Sequence, residues 1–397
     1  MINNDKLGGS MDLNAIIKIL EKVGKIEIEN IVITADELII NIPSAPPVKI
    51  PQTPEMKEKL VEEFKIKEPE GIDWEPPVEK YKGRIREVSF GKPKSEGGRG
   101  VVVKIGGQRA LYRFEEPQPN PPVVTFDIFD MPMPSFPKPI RQYFEDVMED
   151  PVEWAKKCVK FGADMITIHH ISTDPKIKDK SPKEAAKLME DLLQAVKVPF
   201  VIGGSGNPDK DPLVLEECAK AAEGDRCLLA SANLELDYKK IVNAAMKYDH
   251  NVLAWTIMDP NMAKDLNRKL IDAGLDPNRI VMDPTTCALG YGIEFSINAM
   301  VRLRLSGLKG DELVNMPMSS GTTNANGARE AWMTNKEWGD KKYRLALWEI
   351  TTGLTMLLCG VDLFMMLNPV AVKTLKKVGE KLTNKFKMPK KVDWIIA

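Results

Sequence analysis

Neither sign of charge is in surplus: Lys and Arg together number 56, Asp and Glu 57. A dedicated nucleic-acid binder normally shows a basic excess, so that class is set aside. Cysteine is scarce and scattered. Cys158, Cys218, Cys227, Cys287 and Cys359 form no C-x-x-C pair, and the closest two stand nine positions apart. This spacing writes no local zinc or iron–sulfur site, and an odd number argues against a disulfide framework. The five are expected to be buried thiols, with Cys287 alone near a working face. Long apolar runs are also missing. The N-terminus is polar and no run reaches the roughly 18 residues of a membrane span, so a cytoplasmic protein with no membrane partner is expected.

Between residues 124 and 370 there are eight short apolar runs, each followed by a stretch with helical periodicity. They cover residues 124–130, 163–170, 199–206, 226–233, 252–259, 279–286, 313–321 and 361–369, and nearly all end in polar or glycine-rich residues. This pattern predicts an α/β fold, a (β/α)8 TIM barrel whose working face is built from the loops at the strand C-termini. Helix signals agree. Ser181-Pro182-Lys183-Glu184 reads as a capping box with proline at the first helical position. Gly274 and Gly360 are placed to close helices before the next strand.

A barrel needs roughly 250 residues, so the chain of 397 has more to place. Residues 43–54 hold five prolines in twelve positions, which favours extended, solvated backbone. The expected organisation is an N-terminal appendage and Pro-rich linker over 1–80, a β-hairpin over 81–123 plugging the barrel bottom, and the barrel over 124–397. A hairpin, or a meander with a third strand, is expected from the runs REVSF, VVVKI and ALYRF, separated by glycine-bearing turns. A stretch at 373–391 with eight lysines against one glutamate reads as a solvated helix face or a dock for an acidic partner.

The strand endings carry the candidate chemistry. The acidic candidates are Asp127, Asp130, Asp259, Asp283 and Asp362; a carboxylate on the rim can bind amide-like N–H groups or act as a general acid, and each can equally cap a following helix. Asp283 stands out, because Asp283-Pro284-Thr285-Thr286 directly ends a strand and its carboxylate and hydroxyls converge. His169 and His170 end another strand. Adjacent strand residues face opposite ways, so one reaches the rim and the other packs outward, and joint metal ligation is disfavoured. Three endings are rich in glycine and small polar residues, carrying Gly204 and Asn207, then Asn233, then Ser320, Gly321, Thr322 and Asn324. Such loops let a flat ligand approach the backbone while hydroxyls and amides supply uncharged hydrogen bonds. GGSG lacks the lysine and spacing of a phosphate loop. Methionines 131, 133, 258, 316, 318, 365 and 366 lie at strand ends, where half or more are expected to fill core.

In their order, IREVSFG (85–91), FDIFDMP (126–132), ADMITIHH, FVIGGSGNPDKDP (200–212), LASANLELDYKKI (229–241), MDPTTCALGYGIEFS (282–296) and MPMSSGTTNA (316–325) resemble the small (delta) subunit of the corrinoid iron–sulfur protein of the CO dehydrogenase/acetyl-CoA synthase complex. The resemblance spans about residues 75–397, and the N-terminal region is more like archaeal members. It implies a barrel related to pterin-dependent methyltransferases. It also implies a heterodimer with a gamma subunit that bears the corrinoid and Fe–S cluster, within the larger acetyl-CoA decarbonylase/synthase complex. That pair would carry a methyl group between a methyltetrahydropterin and the synthase site, with the corrinoid (a cobamide) shared at the interface. The chain has no D-x-H-x-x-G corrinoid-ligand motif, so it is expected to own no cofactor. The implied corrinoid- or pterin-facing rim is Asp127, Asp130, His169, Gly204, Asn207, Asn233, Asp259, Asp283, Thr285, Ser320, Gly321, Thr322 and Asn324, with no metal site and no assigned catalytic residue. Alternatives are an autonomous methyltetrahydropterin methyltransferase using Asp127 and Asp283, and a purely structural subunit.

Overall fold

The computed structural model describes residues 79–116 and 118–382. The proline-dense stretch and the appendage through residue 78, and the lysine-rich stretch beyond residue 382, lie outside the described residues. Among the described residues no helix is long and apolar enough to cross a membrane.

Two antiparallel strands open the described chain, β1 (Glu87–Phe90) and β2 (Val103–Gly106), with Glu87 opposite Gly106 and Phe90 opposite Val103. Eight parallel strands follow: β3 (Val123–Phe129), β4 (Met165–His169), β5 (Phe200–Gly203), β6 (Leu228–Ala232), β7 (Asn251–Trp255), β8 (Ile280–Asp283), β9 (Ser319–Ser320) and β10 (Leu363–Met366). They pair in the order β8-β7-β6-β5-β4-β3-β10-β9, and a bridge between Met282 and Met318 closes the circle. The helices are α1 (Lys138–Arg141), α2 (Pro151–Lys160), α3 (Pro182–Ala195), α4 (Asp211–Ala221), α5 (Tyr238–Tyr248), α6 (Pro260–Asp272), α7 (Ile293–Leu308), α8 (Arg329–Trp332), α9 (Lys341–Leu358) and α10 (Pro369–Glu380). The fold is the TIM barrel that the strand endings predict.

Alternation along each strand divides the core. Val124, Phe126, Ile128, Ile166 and Ile168 face the helices, whereas Val123, Met165, Val201, Leu228, Leu253, Val281, Leu363 and Met365 fill the barrel's lower interior. Val88, Phe90 and Ile105 of the hairpin complete that interior layer, all fully buried. The plug is fastened at the strand N-termini: Asn251 Nδ2 donates to Ser89 O at 2.9 Å and Gly91 N to Arg226 O at 3.2 Å. The capping box forms, with Ser181 and Glu184 each capping the other's backbone amide, and Gly274 and Gly360 adopt positive φ as helix ends require.

Three expectations change. ALYRF is not a third strand, because Arg113 within it turns inward to Asp362. The run at 313–321 gives only two strand residues. Pro317 has no amide to donate, and its carbonyl is taken by Met282 N at 2.9 Å. Asp362 precedes β10, so it lies at the barrel's lower end and not on the rim. There it is fully buried, bonded to Arg113, Arg304 (2.7 Å) and Gln108 (2.6 Å).

Candidate functional site

Above the apolar layers the interior turns polar. Thr125 and Thr167 share a 2.8 Å hydroxyl–hydroxyl bond, and beyond them Asp127, His169, Asp283 and Ser319 come from β3, β4, β8 and β9. Asp127 is fully buried and neither of its oxygens has a hydrogen-bond partner. His169 Nε2 lies 3.5 Å from Asp127 Oδ1, its ring stacked on Phe129 with centroids 5.0 Å apart. His170, by contrast, is sealed in the outer core between Asp130 (3.7 Å) and Cys218 Sγ (3.7 Å), as alternation along a strand requires.

The second cluster joins the loops after β8 and β9. Burial pushes the Asp283 carboxyl up to about 6, although it accepts Thr285 N at 3.0 Å. Thr285 takes positive φ to fold back in this way, and its hydroxyl donates to Thr256 O at 2.7 Å. Thr286, Ser320 and Thr322 form a chain of hydroxyls at 2.8 Å spacings, and Asn324 Nδ2 donates to Thr286 O at 3.0 Å. Gly321 leaves the surface low there: a Cβ would meet nothing nearer than Asn324 Nδ2 at 3.4 Å.

The third cluster is the β5 and β6 loops, which with His169 and Thr167 line a cavity of about 250 Å3. Asn233 lines it, its Oδ1 accepting Glu235 N and Leu236 N and its Nδ2 left for other partners. Gly204 also lines it, but its role is packing: a Cβ would fall 2.3–2.6 Å from the Asp211 carboxyl. Asp211, which sequence reading passed over, holds this loop by accepting Ser205 N and Gly206 N, both at 2.8 Å. Asn207 forms a turn to Asp209 N and Lys210 N.

Two rim candidates are engaged elsewhere. Asp259 caps α6, accepting Asn261 N at 2.8 Å and Met262 N at 3.4 Å. Asp130 holds Ser172 through its amide (2.9 Å) and hydroxyl; burial alone would raise it, but His170 and Ser172 outweigh that and lower its pKa. Cys158, Cys218, Cys227 and Cys359 are buried, with burial raising each thiol, while Cys287 is partly exposed beside Met258 Sδ at 3.3 Å. Among the methionines, 316, 318, 365 and 366 are core and 131, 133 and 258 are partly exposed.

A second cavity, of about 370 Å3, opens where the β3 and β9 loops meet, lined by Phe129, Phe136, Trp332, Asn324 and Asn326. Beneath it is another residue that sequence reading missed. Glu349 of α9 is fully buried and accepts from Leu367 N, Asn368 N and Asn326 Nδ2, yet burial pushes its carboxyl up to about 8. A lone glutamate in an apolar helical stretch is the signal that could have found it.

The family model for the CO dehydrogenase/acetyl-CoA synthase delta subunit matches residues 87–362, from the first plug strand to the residue before β10. This chain belongs to that family. The acetyl-CoA decarbonylase/synthase complex subunit delta of Methanocaldococcus jannaschii is 84% identical over 388 residues, covering 97% of this chain and 96% of the relative. The subunit delta of Methanothermobacter thermautotrophicus is 55% identical over 387 residues, covering 96% and 97% respectively. Among solved structures, a dihydropteroate synthase from Xanthomonas albilineans in complex with 7,8-dihydropteroate is similar at 16% identity and a TM-score of 0.48, covering 67% of this chain and 95% of that one. In this delta-family barrel the family match therefore takes in the plug, the hydroxyl chain and the Asp127–His169 pair alike.

Proposed function

We propose that this chain is the delta subunit of an acetyl-CoA decarbonylase/synthase complex, working in the cytoplasm as a heterodimer with a corrinoid- and Fe–S-bearing gamma subunit. Its barrel mouth then covers the corrinoid while a methyl group passes between a methyltetrahydropterin and the synthase site. The observation that carries this reading is the low surface at Gly321 beside the exposed Asn324, underpinned by the buried Thr286–Ser320–Thr322 hydroxyl chain, next to a cavity with three aromatic walls. A low surface beside aromatic walls fits a large, flat, mostly apolar ring. When bound, the corrinoid supplies a cobalt centre that accepts and releases the methyl group. The chain's own residues would orient the ring edge and exclude water. The N-terminal 80 residues are assigned to assembly. Copurification tests the reading: the full chain should capture a corrinoid-loaded gamma subunit as a stable pair, and failure to do so overturns it.

A second reading, a methyltetrahydropterin site within this barrel, is favoured by one observation: the buried Asp127 carboxyl has two oxygens without partners, facing the same interior as Asp283. Calorimetry of the isolated chain with a methyltetrahydropterin decides between ring cover alone and pterin binding.

A further inference from the structure

The chain has three histidines, and the structure treats one of them differently. His170 and His250 are buried to within 1% of complete, whereas the His169 side chain keeps 26% of its exposure. Three contacts set its imidazole. Phe129 stacks on one face at an interplanar angle of 19°, and Phe129 is itself wedged by Phe136 and Trp154. Nε2 faces Asp127 Oδ1 at 3.5 Å, and neither atom has a hydrogen-bond partner elsewhere. Nδ1 points past Gly203, where even a Cβ would come within 3.2 Å of it, toward the 250 Å3 cavity. A carboxylate only accepts, so approach of this pair places the proton on Nε2 and leaves the Nδ1 lone pair facing the cavity. The other acids lining the cavity do not compete: Asp211 is engaged by three loop donors, and Glu235 lies at the exposed margin.

We propose that His169 exchanges a proton with a small nitrogen heterocycle held in this cavity, with Asp127 as the positioning residue that fixes its tautomer. Catalytic imidazoles backed by a carboxylate share this arrangement, and their contacts often tighten only when ligand binds. The cavity adds the Asn233 Nδ2 donor and the small walls of Gly203, Gly204 and Ala230, which leave room for a flat ring. Only the identity of the ligand rests on the pterin reading above; the reactive imidazole does not.

Carbethoxylation by diethyl pyrocarbonate at pH 7, followed by absorbance on the full chain, reads the imidazole directly. One equivalent should react fast and two slowly, the fast one vanishing in His169→Gln. Asp127→Asn can present an N–H to Nε2 and shift the proton to Nδ1, so it should slow the fast phase roughly tenfold, the scale on which such supporting carboxylates act. Its melting temperature should stay close to the parent's, since beyond the 3.5 Å approach of His169 the buried carboxyl has no hydrogen-bond partner to lose. Gly203→Ala should slow the same phase by crowding Nδ1, with Asp127 intact. If no histidine reacts fast, or if Asp127→Asn reacts at the parent rate, the dyad is overturned. A second arm adds tetrahydrofolate as the probe. Protection of the fast phase supports the heterocycle, while an unprotected fast phase overturns the ligand class and the pterin reading and leaves the dyad standing.

Discussion

The Glu349 carboxyl accepts the Leu367 amide at 2.6 Å, tying α9 to the point where β10 ends and the chain turns into α10. The Asn368 amide (3.0 Å) and Asn326 Nδ2 (3.2 Å) complete its shell, so one buried acid braces the strand end and the rim loop at 322–327 together.

This arrangement predicts a pH dependence of stability. Burial raises the Glu349 carboxyl from 4.5 to about 8 and Asp283 from 3.8 to about 6. A group whose folded pKa is raised binds its proton more tightly when folded, so its contribution is complete below the unfolded pKa and is lost as pH climbs to the folded one. Stability should therefore fall from about pH 4 to about pH 8 and level off above, by an amount on the order of a few kcal/mol, and the melting temperature should fall with it. Glu349→Gln should flatten the upper part of that slope, between about pH 6 and 8. Thermal melts across this range check it, and a variant with the parent slope would remove Glu349 from the account.

At the opposite end, Asp362 lies between Arg113 and Arg304, with side chains 0–3% exposed. Asp362→Ala leaves two buried guanidiniums facing each other without their anion, and losing one partner of such a set costs about 3–5 kcal/mol. Urea unfolding should show a loss of that size, with a melting temperature lowered by roughly 6–20 °C. A loss under 1 kcal/mol would show that water replaces the carboxylate.

Phe90, fully buried in the plug, should behave as ordinary core: Phe90→Ala is expected to cost about 3–5 kcal/mol while His169 reactivity in the surviving folded protein stays at the parent level. Denaturant unfolding and carbethoxylation on the same sample separate the two effects.

Much of this was legible because it is written by local chemistry. The eight endings, the Ser181–Glu184 box and the split roles of His169 and His170 follow from period-two and period-3.6 patterning alone. What escaped depends on contacts distant in sequence. Nothing local tells that Asp362 precedes its strand while Asp127 lies in the upper half of β3 and Asp283 ends β8, since the three sit in similarly apolar runs; Arg304 and Arg113, 58 and 249 positions away from Asp362, decide it. Asp130 and Asp259 look like rim ligands in sequence because a capping carboxylate and a binding one are the same residue until their amide partners are placed. Pro317 could have shortened β9 in advance, for a residue without an amide cannot serve a ladder.

Gly204 and Gly321, alike in sequence reading as open rim positions, should part company experimentally. At Gly204 even a methyl group would press within 2.6 Å of the carboxyl that holds the β5 loop, so Gly204→Ala should lower the melting temperature and Gly204→Trp should fold poorly. At Gly321 the nearest atom to a new Cβ is Asn324 Nδ2 at 3.4 Å, an ordinary contact distance, and φ is −72°, a conformation any residue adopts, so Gly321→Trp should fold with a melting temperature close to the parent. If the corrinoid lies on the hydroxyl rim, the indole stands between ring and barrel, and methyl transfer in the reconstituted gamma–delta pair should fall about tenfold or more, the effect expected of even a small misplacement of reacting groups. Phe90→Ala, at the far mouth, should leave the transfer rate of folded protein unchanged. Transfer at the parent rate in Gly321→Trp would mean that the ring faces another surface.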